Sequence, residues 1–136
     1  MKILFVCSGN AYRSPLAEAL LKKLRPDSQV DPWGTEVETK VSRETRKYLA
    51  TQYAEQYLKR ALESLKYKRI DEYDLIVAME QVHERAILNE YPECRSKIVV
   101  WNIEDQGANQ PENIERINSS IKGKVTELAN SLKISR

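Results

Sequence analysis

Apolar positions fall along this chain in two rhythms. Residues 2–6 (Lys-Ile-Leu-Phe-Val), 74–79 (Asp-Leu-Ile-Val-Ala-Met) and 97–101 (Lys-Ile-Val-Val-Trp) are apolar on nearly every residue. The first run, apolar on both faces, predicts a strand buried in a parallel sheet, and the other two predict further strands. Residues 29–31 predict a further, shorter strand, with Gly34-Thr35 as the turn after it. Between these runs the period lengthens to that of a helix. Leu16, Ala19, Leu20 and Leu24 form one stripe, with Ser14 as N-cap, Pro15 at the first helical position and Pro26 as the stop. Residues 81–90 predict a helix ended before Pro92, and residues 111–133 a long one striped by Ile114, Ile117, Ile121, Val125, Leu128 and Leu132. Residues 42–68 are charged, Tyr-rich and free of Gly and Pro, which predicts one helix or two with an exposed face.

Strands alternating with helices predict an α/β fold, a parallel sheet with helices on both faces. No internal boundary is visible, so residues 1–136 are expected to form a single domain. Ligands of such sheets bind beyond the carboxyl ends of the strands. Cys7 ends the first strand and Asp105 lies a few residues past the fourth, so both are expected on that one edge.

Composition narrows the function classes. With 22 Lys+Arg against 20 Asp+Glu the net charge is only +2, which lacks the basic footprint of a nucleic-acid binder. No apolar run approaches the ~18 residues of a membrane span, and the first is too short for a signal-peptide core. A cytoplasmic, soluble, monomeric protein without a membrane or nucleic-acid partner is expected. Two cysteines and one histidine are too few for a disulfide framework or a structural zinc site, so no metal or cofactor is expected.

The segment Cys7-Ser8-Gly9-Asn10-Ala11-Tyr12-Arg13-Ser14-Pro15 carries the chemistry. It is a thiol, five residues, a guanidinium and a hydroxyl, placed between a strand and a helix start. Gly9 and Asn10 tolerate positive φ, so the loop can curl its N–H groups into an anion nest. The helix adds the positive end of its dipole, and Arg13 can grip two phosphate oxygens. The same positive environment favours the thiolate, the nucleophilic form of Cys7. A phosphate dianion could thus sit above a nucleophile, as covalent phosphoryl transfer requires. The leaving oxygen then needs a proton and the phosphocysteine an activated water, and one carboxyl can serve both in turn. Asp105 is the candidate, with Glu104 adjacent.

At these residues the chain resembles the low-molecular-weight protein tyrosine phosphatase family, which carries Cys-x5-Arg-Ser-Pro with Gly-Asn inside the loop after its first strand. Cys7, Gly9, Asn10, Arg13, Ser14 and Pro15 match residue by residue, Asp105 matches the family's acid, and residues 74–80 look like its third strand. The resemblance implies a doubly wound domain with a four-stranded parallel sheet of order 2-1-3-4. It also implies metal-free hydrolysis of phosphotyrosine: Cys7 as nucleophile, Arg13 as clamp and Asp105 as acid then base. Asn10 would hold the curl, Ser14 would hydrogen-bond the thiolate, and Ser8, Gly9, Asn10, Ala11, Tyr12 and Ser14 would surround the substrate phosphate. The chain departs from the family pattern at Tyr12 (often a second Cys), Pro32-Trp33 (usually Ser-Ala), Gln106 (usually Pro) and Gly107-Ala108 (usually aromatic).

Phosphorylated proteins and small phosphomonoesters are the expected substrates, with the P–N compound phosphoarginine also open and Ala11 placed to tune the leaving group. Alternatives are thiol-dependent arsenate reduction, which usually needs two further cysteines, a phosphocysteine carrier, and a phosphate-binding module with little turnover. Tyr12 either covers the loop or flanks an aryl phosphate. Trp33, Tyr48, Tyr53 and Tyr57 are candidates for an aromatic wall, Tyr53 and Tyr57 sharing one helical face. Cys94 reads as an incidental thiol. His83, among Glu80, Glu84 and Arg85, is expected in solvent.

Overall fold

The computed structural model describes residues 1–8, 13–34, 43–58, 70–104 and 111–134. Strand β1 (Lys2–Cys7) is followed by helix α1 (Arg13–Leu24), β2 (Gln29–Gly34) and α2 (Arg43–Thr51). Then come β3 (Leu75–Ala78), α3 (Gln81–Glu90), β4 (Ile98–Val100) and α4 (Pro111–Ile134), with short 3-10 segments at Glu55–Tyr57, Ile70–Glu72 and Pro92–Lys97. Among the described residues the four strands make one parallel sheet in the order β2-β1-β3-β4.

The first apolar run is buried as its pattern predicts, whereas β4, at the sheet edge, is half-buried with Val99 exposed. β1 is central, paired with β2 on one side and β3 on the other, and Ile3 through Val6 are fully buried. Its side chains alternate across the sheet. Ile3, Phe5 and Cys7 pack with α1, Leu49 of α2 and the Ile117, Ile121 and Val125 stripe of α4. Leu4 and Val6 face the other way, into a cluster with Trp33, Tyr73, Ile76, Ile87 of α3 and Cys94. β2 runs on to Gly34, three residues past the expected strand, and admits Pro32 because it is an edge strand with one free side.

Three expectations are corrected. Leu24 is 46% exposed, while Ala17 and Leu21 are buried instead, because α1 is covered by the sheet on one side and by α2 and α4 on others. α1 begins at Arg13 rather than after Ser14, which places both residues in its first turn. Tyr53 and Tyr57 do not share a helical face: α2 ends at Thr51, Tyr53 turns into left-handed backbone (φ 54°), and Tyr57 lies in a separate 3-10 turn. The part of the expected helical stretch over residues 59–68 and the turn at Thr35 lie outside the described residues.

The α4 stripe generates a stability test. Ile121 is fully buried between α4 and the sheet, and Lys122 beside it is exposed. Ile121→Ala is expected to cost about 2–5 kcal/mol, the range for an aliphatic truncation that leaves a cavity. Lys122→Ala is expected to stay within about 0.5 kcal/mol. Urea denaturation of the two variants checks both.

Candidate active site

The carboxyl ends of the central strands converge with the start of α1. Val6 is the last residue of β1 in the ladder with β3, and its carbonyl accepts the Met79 N–H at 3.0 Å. Cys7 follows, on the α1 side of the sheet and 2% exposed. Its Sγ lies 3.0 Å from Ser14 Oγ, and Ser14 is itself fully buried in the first turn of α1. A hydroxyl so placed can donate to a thiolate, and the positive end of the α1 dipole lies at the same edge.

Arg13 is the largest polar group in this region and is 2% exposed. A buried guanidinium must find acceptors, since an uncompensated charge costs several kcal/mol. Its Nη1 donates to Glu80 Oε1 at 2.6 Å and to the Ile103 carbonyl at 2.7 Å. Glu80 stands just before α3, and Ile103 just past β4, where its N–H donates to the Met79 carbonyl at 2.7 Å. Asn102, in left-handed backbone (φ 57°), turns the chain there, a conformation Asn tolerates better than most residues. Glu104 is exposed and ion-paired with Arg116 of α4. Glu80, Gln81, Val82, Asn102 and Glu104 line an open cleft of about 270 Å³ beside this cluster.

The structure places Cys7, Ser8, Arg13 and Ser14 at one edge. Gly9, Asn10, Ala11, Tyr12 and Asp105 lie outside the described residues. Two of the aromatic-wall candidates are placed elsewhere: Trp33 is buried in the α3-side core, and Tyr53 is 79% exposed beyond the end of α2. Tyr48 packs half-buried against the α1-side core, where burial raises its phenol above the usual range.

Sequence reasoning missed Glu80 as the partner of Arg13, and it misplaced His83. His83 is not in solvent but 1% exposed. Its Nδ1 accepts the Glu80 backbone N–H at 3.0 Å, and its Nε2 lies 3.0 Å from Ser8 Oγ. The charged neighbours of His83 misled; the four-residue spacing of His83 and Ile87, both buried on one face of α3, was the available signal.

A family model described as low molecular weight phosphotyrosine protein phosphatase matches residues 2–135. The chain belongs to that family. The low molecular weight protein-tyrosine-phosphatase Wzb of Salmonella typhi is 30% identical over 131 residues, 96% of this chain and 88% of that protein. A putative low molecular weight protein-tyrosine-phosphatase of Klebsiella pneumoniae is 32% identical over 108 residues, 73% of this chain and 69% of its own length. Among solved structures, the YwlE arginine phosphatase from Geobacillus stearothermophilus superposes with a TM-score of 0.87 at 26% identity, covering 98% of this chain and 94% of that one. The four-stranded order found here is thus the phosphatase family's fold.

The two cysteines of this phosphatase-family chain sit on opposite faces of the sheet, Cys7 against α1 and Cys94 in the α3-side cluster. Burial pushes the Cys94 thiol up, and the Glu93 carboxylate adds to the effect, so Cys94 is a poor thiolate. Cys94 is therefore a core residue, and a Cys7–Cys94 disulfide would require the sheet to come apart. Mass spectrometry after peroxide treatment is expected to show oxidised Cys7 with no intramolecular disulfide. A Cys7–Cys94 crosslink in folded protein would contradict the placement.

Proposed function

We propose that this chain, as one catalytic domain over residues 1–136, is a metal-independent phosphomonoester hydrolase acting on phosphotyrosine through a phosphocysteine intermediate. The observation that carries the reading is the buried pairing of Cys7 Sγ with Ser14 Oγ at 3.0 Å, beside a guanidinium fixed by Glu80 and Ile103. The family membership and the names of the relatives support it.

In this mechanism the Cys7 thiolate, stabilised by the Ser14 hydroxyl and the α1 N-terminus, attacks phosphorus opposite the ester oxygen. The S–P bond forms as the P–O bond breaks. Asp105 protonates the departing oxygen, so the alcohol leaves neutral. Arg13, Ser8, Gly9, Asn10, Ala11, Tyr12 and Ser14 hold the phosphoryl oxygens, and the planar guanidinium matches two of them at once. Water then attacks the phosphocysteine, Asp105 takes its proton, and inorganic phosphate and the free thiolate are released. The cleft beside Glu80, Val82 and Asn102 receives the leaving group. The substrate is a phosphorylated protein or a small ester met by a cytoplasmic monomer.

Phosphoarginine is the second reading, favoured by the likeness to a protein named arginine phosphatase. Arsenate reduction by a cysteine relay is weakened by the burial of Cys94 on the far face of the sheet.

Two measurements test the reading. Cys7→Ser is expected to abolish turnover of para-nitrophenyl phosphate in the presence of a chelator, with the fold retained. Arg13→Lys is expected to lose most of it, because an ammonium cannot make the planar two-point contact. Near-normal rates in either variant would sink the mechanism.

The acid is tested by leaving group. Asp105→Asn is expected to slow phosphotyrosine hydrolysis by about 10²–10⁴-fold, the span for a lost acid–base catalyst. The loss should be smaller for the activated nitrophenyl ester, whose phenolate leaves without a proton. Glu104→Gln should change little, since that carboxylate is an exposed partner of Arg116. A crippled Glu104→Gln beside an active Asp105→Asn would reverse the assignment.

A further inference from the structure

His83 has no part in the chemistry above, yet it is a buried polar side chain with both ring nitrogens engaged. A backbone N–H can only donate, so the Glu80 N–H bond fixes Nδ1 as an acceptor. The ring proton of the neutral imidazole is then on Nε2, which donates to Ser8 Oγ at 3.0 Å. This tautomer follows from the hydrogen-bond network.

The place of that bond gives it meaning. The β1–β3 ladder ends at Val6↔Ala78, so Ser8 lies two residues beyond the last paired position on that side. Alternation along β1 sends Cys7 toward α1 and Ser8 toward α3. At the other end of the same segment, Arg13 is held by Glu80 Oε1 at 2.6 Å. Glu80 is thus joined to both ends, to Arg13 by its side chain and to Ser8 through the His83 ring that its N–H holds. Residues 8 and 13 are pinned to the first turn of one helix.

We infer that His83 is a positioning residue for the anion-binding segment. Through Ser8 it fixes where the chain leaves the nucleophile, as Glu80 fixes Arg13 where the segment re-enters a helix. The inference deepens the phosphatase reading and rests on it for the roles of Cys7 and Arg13.

The test is a double-mutant cycle in the full chain with two conservative replacements. Ser8→Ala and His83→Phe are each expected to lower kcat/KM for para-nitrophenyl phosphate by about 3- to 10-fold, the worth of one hydrogen bond. The double variant should be no worse than the weaker single, because the link is already gone. His83→Gln, whose amide nitrogen can reach Ser8, should recover most of the rate; His83→Asn, which can still accept the Glu80 N–H but falls short of Ser8, should not. Additive losses, or rescue by Asn rather than Gln, would show that His83 merely caps α3 and would overturn the proposal.

The chain has one histidine, so its imidazole nitrogens can be observed without ambiguity by ¹⁵N NMR. In Ser8→Ala the Nε2 signal should move more than Nδ1, and the affinity for inorganic phosphate should weaken by the same 3- to 10-fold factor. An unmoved Nε2 signal would overturn the link whatever the kinetics. If the wild type shows no Cys7-dependent turnover, the phosphatase reading falls, and the link is judged on the Nε2 signal and on phosphate affinity alone. If turnover depends on Cys7 but the cycle is additive, the phosphatase reading stands and the link falls.

Discussion

One buried cation organises the functional edge of this molecule. Arg13 is 2% exposed, and a guanidinium taken out of water is tolerated only with charge and hydrogen-bond partners in fixed positions. Those partners come from two distant stretches: the carboxylate before α3, 67 residues on, and the carbonyl just past β4, 90 residues on. The start of α1, the start of α3 and the exit from β4 must therefore meet at one point. The parallel sheet makes the meeting possible, because β1, β3 and β4 all end on the same edge and each delivers one of the three segments there. The ladder continues past the strands to hold them, from Met79 to Val6 and from Ile103 to Met79.

The two-residue period of a strand does the complementary task at the end of β1. Adjacent side chains project to opposite faces, so Cys7 meets Ser14 of α1 while Ser8 meets His83 of α3. A one-residue slip in the pairing of β1 would exchange these environments. It would also move Ile3 and Phe5 out of one apolar cluster and Leu4 and Val6 out of the other, so the packed core guards the register of the site.

What was legible in the chain followed from patterns with a strict physical cause. Continuous apolar runs marked β1 and β3 because a strand buried on both faces has few polar positions to spare; the run at β4 marked a strand although that edge strand is only half-buried, and α3 was bounded correctly at Gln81 and Glu90. The Cys7 to Pro15 spacing marked the end of β1 and, to within two residues, the start of α1. The failures were of another kind. His83 was read from its sequence neighbours, although burial in α3 follows the helical period from His83 to Ile87. Tyr53 was read as helical because nothing in the local composition announces a left-handed turn at a tyrosine. Glu80 was passed over because the need for a carboxylate there arises only from Arg13, 67 residues away. Pairings imposed by a distant buried charge leave no local trace, and only topology brings them together.

The shared cation also ties the two halves of the chemistry. The Nη1 group that anchors Arg13 bonds to the Ile103 carbonyl, two residues before Asp105. The side chain that would grip the phosphate thus also holds the backbone from which the acid's segment departs. Groups joined in this way act as a unit, and their mutational effects do not add. On the proposed mechanism a change at Arg13 would remove a phosphate contact, and in the same stroke it releases Ile103 and leaves the Glu80 carboxylate without that partner. A change at Glu80 would reach the phosphate only through Arg13. The loss measured at Arg13 therefore reports the whole junction of α1, α3 and β4, and apportioning it to phosphate binding alone would overstate the worth of that one contact.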